Sequence, residues 1–145
     1  MTNERPVLKG INLIVKDMDA TVVFYRRLGL DVPDTDPAWQ AHHRKAAMPD
    51  GLDLEFDSYE FAQKWNLSWR SGGTGGACVV GFRLRSREAV DDLYEELTNA
   101  GSSAQQAPYD AFWGARYAIV EDPDGNAVGL MSPSDPARRT TPTPP

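Results

Sequence analysis

Few side chains in this sequence combine the type and the spacing that chemistry needs. His42 and His43 are adjacent, and the carboxylates Asp53, Glu55 and Asp57 alternate along LDLEFD, residues 52–57. Alternate residues of an extended segment share one face, so these carboxylates can pair with a base, hold a cation or accept protons. Pro49-Asp50-Gly51 has strong turn chemistry. A turn there that pairs Ala47 with Leu52 sets Arg44 opposite Glu55 and His42 opposite Asp57 on one polar face. Arg44 facing Glu55 reads more simply as a salt bridge than as part of a metal site displaced onto His42, Asp53, Glu55 or Asp57. The two histidines point to opposite faces of a strand and cannot chelate together. Cys78 is the only cysteine and falls on the apolar side of an alternating segment, which reads as a buried, inert thiol rather than a nucleophile. No G-x-S-x-G elbow is present. Gly72 to Gly76 has no lysine after it and precedes a strand, which makes it a linker rather than a phosphate loop.

The elements that must position these groups follow from periodicity. In residues 8–16, Ile11, Leu13 and Val15 share one face of a strand and Gly10, Asn12 and Ile14 the other. Asp17 or Asp19 then caps a helix whose apolar positions are Val22, Phe24, Tyr25 and Leu28, and Gly29 stops it. A loop at 33–37, a strand from Trp39 to Ala47 and a strand from Leu52 to Asp57 complete a first module. Ser58 to Trp69 is either a short helix or a loop. The pattern restarts with Val80, Phe82 and Leu84 against Val79, Gly81 and Arg83. Ser86 caps a second helix with a Val90, Leu93, Leu97 stripe, and Gly101 ends it. Strands follow at Ser103 to Ala107, Trp113 to Glu121 and Asn126 to Met131, the last two joined by Asp122-Pro123-Asp124-Gly125, whose aspartates serve the turn. Strand, cap, helix and glycine thus occur twice, which reads as two copies of one βαβββ unit.

Composition narrows the function classes. The 145 residues suit one domain, and 41% hydrophobic with 25% charged residues suits a packed core. A net charge of −6 with scattered Lys and Arg argues against nucleic acid as a partner. No apolar run approaches the roughly 20 residues of a membrane helix, and the polar start is unlike a signal peptide. A lone cysteine agrees with a reducing compartment. The expected location is cytoplasmic, away from any membrane.

Three segments resemble the vicinal oxygen chelate superfamily, which includes glyoxalase I, extradiol dioxygenases, fosfomycin-resistance transferases and bleomycin-binding resistance proteins. They are INLIVKDMDATVVFYRRLGL (11–30), VVGFRLRSREAVDDLYEEL (79–97) and WGARYAIVEDPDGNAVGL (113–130). The resemblance covers residues 8–132 and implies an α+β fold: two βαβββ modules forming a curved, mixed, eight-stranded sheet with helices on the convex side. The expected organisation is one glyoxalase-like domain at 1–132, with module one at 7–58, a joint at 59–76 and module two at 77–132. A disordered, proline-rich tail at 133–145 completes it. Enzymes of the superfamily usually hold a divalent metal through four positions on the concave face. Here those positions carry Gly10, Val79 and Gly129, which have no donor side chain, and Glu55, which has one. About three protein donors are needed for such a site, so no metal and no cofactor are expected.

Strand parity sends Asn12, His42, Arg44, Glu55, Val79, Arg83, Arg116, Gly129 and Met131 to the concave side, where small central residues leave room for a ligand. Trp39, Trp65 and Trp113, with Tyr109 and Phe112, either pack the core or an interface, or stack on a planar molecule. Antibiotic-binding relatives form such a site between two subunits, so the resemblance implies a homodimer. The leading expectation is a metal-free binding protein for a small molecule, aromatic compounds among the candidates, serving drug sequestration or self-resistance. The alternative is a lyase, isomerase or dioxygenase-like enzyme using a displaced metal or acid–base chemistry through Glu55 and His42. A protein-interaction module that merely keeps the fold is a third reading.

Overall fold

The computed structural model describes residues 10–65 and 78–141. The chain divides into two compact units, residues 1–73 and 74–145. Residues 1–9, Trp69, the glycine stretch 72–76 and residues 142–145 lie outside the described residues.

Unit 1 opens with strand β1 (Gly10–Val15) and helix α1 (Met18–Leu28). Of the two candidate caps, Asp17 does the work: its side chain accepts from the Ala20 amide at 3.0 Å, and Gly29 closes the helix at φ 111°. Strands β2 (His43–Ala46) and β3 (Asp53–Ser58) follow, then helix α2 (Tyr59–Trp65). Helix rather than loop therefore forms after Ser58, whose hydroxyl accepts from the Phe61 amide at 3.1 Å. The sheet order is β1-β3-β2, parallel between β1 and β3 and antiparallel between β2 and β3. Tyr25 of α1 stacks on Phe56 of β3 at 4.7 Å, and with Val22, Leu28 and Leu54 they form the buried core of this unit.

Two corrections belong here. Trp39 to His42 form a turn, and the strand begins only at His43. The register is also displaced by one residue: His43 opposes Asp57, Arg44 opposes Phe56 and Lys45 opposes Glu55. A one-residue slip turns every side chain to the other face. Arg44, expected beside Glu55, instead enters the helix-covered side and is 3% exposed. There its guanidinium donates to the Pro33 carbonyl at 2.9 Å and to Asp34 at 3.3 Å.

Unit 2 runs β4 (Val79–Arg83), α3 (Arg87–Asn99), β5 (Ala104–Asp110), β6 (Arg116–Glu121) and β7 (Ala127–Met131). Ser86 caps α3 by accepting from the Ala89 amide at 3.1 Å. The sheet order is β4-β7-β6-β5, with only β4 and β7 parallel. Val80, Ala118, Val120, Val128 and Leu130 are buried together with Val90 and Leu97 of α3. In the turn between β6 and β7, Asp122 accepts from the Asp124 and Asn126 amides, each at 2.9 Å.

The protein is thus α+β, with a mixed sheet of three strands in unit 1 and one of four strands in unit 2 among the described residues. Where module one was expected to have a further strand, Asp31 and Ala47 make a single β-bridge. Cys78 precedes β4 and is exposed, so it is not the buried thiol expected. The stretch after Pro133, expected to be loose, is held as far as it is described. Pro136–Arg138 forms a 3-10 turn, the Asp135 amide donates to the Gly114 carbonyl at 3.0 Å, and the Thr140 amide donates to the Phe112 carbonyl at 2.9 Å.

Candidate functional site

The polar face of unit 1 is the side of the sheet away from α1. Parallel partners point the same way, so Asn12 of β1 and Glu55 and Asp57 of β3 share this face with His43 and Lys45 of β2. Asp57 is its centre. It is 2% exposed, and its two oxygens divide their work: Asn12 Nδ2 donates to Oδ2 at 2.8 Å, and His43 Nδ1 meets Oδ1 at 2.6 Å. Lys45 lies 2.7 Å from Asp53 and 4.0 Å from Glu55, and the Asp53 carboxylate beside it raises its pKa above the usual lysine value. Glu55 is therefore an ion-pair partner of Lys45, not of Arg44.

His42 sits in the turn before β2, with Nδ1 at 3.0 Å from the Ser58 hydroxyl. It lines a hollow of about 590 Å³ with Lys16, Asp17, Ser58 and Glu60. Trp39 and Phe61 meet edge to face at 5.3 Å and separate two smaller clefts. One, of about 360 Å³, is lined by Thr35, Asp36, Trp39, His43 and Phe61. The other, of about 320 Å³, takes in Ala38, His42, Glu60 and Lys64. Trp65 closes α2.

In unit 2 the side of the sheet away from α3 carries Val79, Gly81 and Arg83 of β4, Gly129 and Met131 of β7, and Tyr117 of β6. Gly129 has a positive role. A Cβ there would stand 2.9 Å from the Tyr117 hydroxyl oxygen and 3.2 Å from Val79 Cγ1, so the missing side chain is the space in which the phenol lies. Tyr117 extends into an aromatic group: Trp113 at 5.3 Å, Tyr109 at 6.1 Å, and Phe112 beyond Trp113 at 5.1 Å. Burial raises the Tyr117 pKa above the usual phenol value, and the neighbouring Tyr109 adds to it. Phe112 is 49% exposed, Val79 45% and Tyr109 38%, an apolar concentration on one unit.

Arg116 is not on that face. Its Nε donates to Asp91 of α3 at 2.9 Å and its Nη1 to Asp110 at 3.3 Å, so it ties helix to sheet. Arg116 and Arg44 are thus the expected ligand-facing residues that the structure places elsewhere. Asn12, Glu55, Val79, Arg83, Gly129 and Met131 keep the faces expected of them. Asp57 keeps the polar face expected of it but meets His43 instead of His42, while His43 and Tyr117 are not among the residues the sequence singles out. A register-independent signal existed for Tyr117, which alternates with Ala118 and so shares parity with Trp113, but none fixed His43.

The divalent metal of the superfamily's enzymes does not fit these residues. Gly10 offers no donor, and a Cβ there would already be 3.2 Å from the Asp53 carbonyl oxygen. Val79 is apolar, and the Gly129 position is filled by the Tyr117 phenol. Glu55 remains, and it is engaged with Lys45. The displaced alternatives are no better, since Asp53 is bound to Lys45, Asp57 to Asn12 and His43, and His42 to Ser58. Among the described residues no group of three or more His, Cys, Asp or Glu side chains converges on a point.

Two strand-helix units, each with a parallel pair of strands beside antiparallel ones and a helix on one face, define a protein built from two βα modules. The chain belongs to the Glyoxalase/Bleomycin resistance protein/Dioxygenase superfamily, whose profile matches residues 8–130. Among solved structures it is similar to a glyoxalase/bleomycin resistance protein/dioxygenase family enzyme from Burkholderia phytofirmans PsJN. That likeness has a TM-score of 0.74 and 23% identity over 86% of this chain and 97% of the other. A glyoxalase-related enzyme from Fulvimarina pelagi gives 0.74 at 20% identity, covering 88% of each chain. A glyoxalase/bleomycin resistance protein/dioxygenase from Nocardioides gives 0.71 at 21%, covering 98% of this chain and 93% of the other. At these identities the likeness is one of fold. No curated protein matches the chain. Among the described residues no helix is long and apolar enough to cross a membrane.

Proposed function

We propose that this chain is a small-molecule-binding member of the superfamily that works without the family's metal, holds a planar aromatic ligand and acts as a homodimer. The observation that carries this reading is the Tyr109, Phe112, Trp113 and Tyr117 group. It adjoins Gly129 and Val79, two positions where relatives keep metal donors. Rigid aromatic rings contribute large contact area at low entropic cost. Substituting Gly and Val for donors, with a phenol laid across the glycine, exchanges a Lewis-acid site for a stacking surface. Sequestration of a planar drug or a self-made antibiotic is the role such a surface suits.

The test is elemental analysis of full-length protein purified without chelator, with size measurement in solution and titration against planar aromatic natural products. The expected result is a dimer with substoichiometric metal and a ligand that quenches tryptophan fluorescence. Trp113→Ala and Tyr117→Ala should each weaken that ligand about 30-fold, the effect of losing roughly 2 kcal/mol of a central aromatic contact. Stoichiometric metal that disappears in Glu55→Ala would refute the reading.

A further inference from the structure

We propose that His43 is a general base, positioned by Asp57, acting on a planar substrate with an acidic C–H bond held in the cleft that His43 lines with Trp39 and Phe61. This goes beyond the binding reading and rests on different residues, all of them in unit 1.

The proton's location follows from the hydrogen bonds. An ionised carboxylate only accepts. With Oδ2 taken by Asn12 at 2.8 Å and Oδ1 at 2.6 Å from His43 Nδ1, the proton between Asp57 and the ring belongs to Nδ1. A neutral imidazole so arranged carries its lone pair on Nε2. Asp57 is 2% exposed, whereas the His43 side chain is 34% exposed, so the carboxylate is sequestered while the ring is reachable. Burying a carboxylate without need is costly. The same pairing stabilises the imidazolium that forms when Nε2 takes a proton.

The surroundings supply a place for substrate. His43 lines the cleft of about 360 Å³ with Thr35, Asp36, Trp39 and Phe61, a volume within the range of small-molecule sites. Phe61 meets His43 edge to face at 5.7 Å and Trp39 at 5.3 Å, giving flat apolar walls beside the base. Trp39 is 48% exposed and stands at the rim. The substrate class is a conjugated or aromatic carbonyl compound. Its C–H proton passes to Nε2, the bonding pair moves onto the carbonyl oxygen as an enolate, and the imidazolium returns the proton at another carbon. The net change is an isomerisation that needs no oxidant or co-reactant.

The probe is 5-nitrobenzisoxazole with the full-length protein. Its ring C–H proton goes to the base, the N–O bond breaks, and a coloured cyanophenolate is released. His43→Asn should lower the rate about 100-fold, the lower range for a positioned base, and free imidazole should restore activity to His43→Gly. Asp57→Asn should lower the rate while the protein stays folded by circular dichroism. Independently of any variant, ¹⁵N NMR of the wild type should show neutral His43 protonated on Nδ1. The proposal is overturned by His43→Asn turning over at the wild-type rate. It is equally overturned by a wild-type rate no higher than an equal concentration of imidazole, or by neutral His43 protonated on Nε2.

Discussion

Asp57→Ala tests the centre of unit 1 through stability alone. The substitution removes an acceptor that is 2% exposed and leaves Asn12 Nδ2 and His43 Nδ1 without the partners they hold at 2.8 and 2.6 Å. Hydrogen bonds to a charged group are worth about 1.5–3 kcal/mol each. Asn12 and His43 both reach solvent on one side, so the lower value applies to each and the loss is about 3 kcal/mol. For a chain of this length that is a fall in Tm of about 12 °C, taking roughly 4 °C per kcal/mol. Asp57→Asn keeps an accepting oxygen for one partner and should lose about half as much. In an Asn12→Ala background Asp57→Ala should cost about 1.5 kcal/mol less than in the wild type, because one bond is already gone. Thermal melting by far-UV circular dichroism, with urea unfolding at constant m, measures all three. If Asp57→Ala melts within about 2 °C of the wild type, Asp57 does not organise this face.

Two other outcomes follow from unit 2. Gly114 has φ 91° and a Cβ there would overlap the Asp135 carbonyl oxygen, so Gly114→Ala should cost more than about 2 kcal/mol and release the 133–141 segment. Faster tryptic cleavage at Arg138 and Arg139 at native temperature would show it, and unchanged cleavage would refute it. Tyr117 is held protonated by burial, so between the ordinary phenol pKa and its raised value the folded state binds more protons than the unfolded one. Stability should therefore fall as pH rises beyond about 10, and Tyr117→Phe should flatten that fall. Phenolate absorbance should show Tyr117 titrating later than a free tyrosine.

Much of the scaffold was legible because its signals are local. Asp17 and Ser86 cap their helices through their own side chains, Gly29 ends α1, and Asp122 closes its turn with amides two and four residues on. The alternation of Val80 and Phe82 against Val79, Gly81 and Arg83 fixed the faces of β4 for the same reason. Cys78 broke that pattern because the strand begins one residue later and leaves the thiol exposed. The compositional reading of a loose tail after Pro133 counted side chains, whereas the segment is held by backbone hydrogen bonds to Phe112 and Gly114.

What the sequence determined by itself was the family, the order of elements and the poverty of donors at Gly10, Val79 and Gly129. These depend on residue identity and near-neighbour spacing. The tertiary structure decided which residues meet. The six residues between β2 and β3 do not dictate a register, and the pairing that forms sends Arg44 into the helix side and brings His43 to Asp57. Likewise nothing near Gly129 in sequence says that Tyr117, from the neighbouring strand, will lie across it. A slip of one residue costs no local energy in a hairpin but exchanges one face for the other, and only packing against α1 and β1 chooses between them.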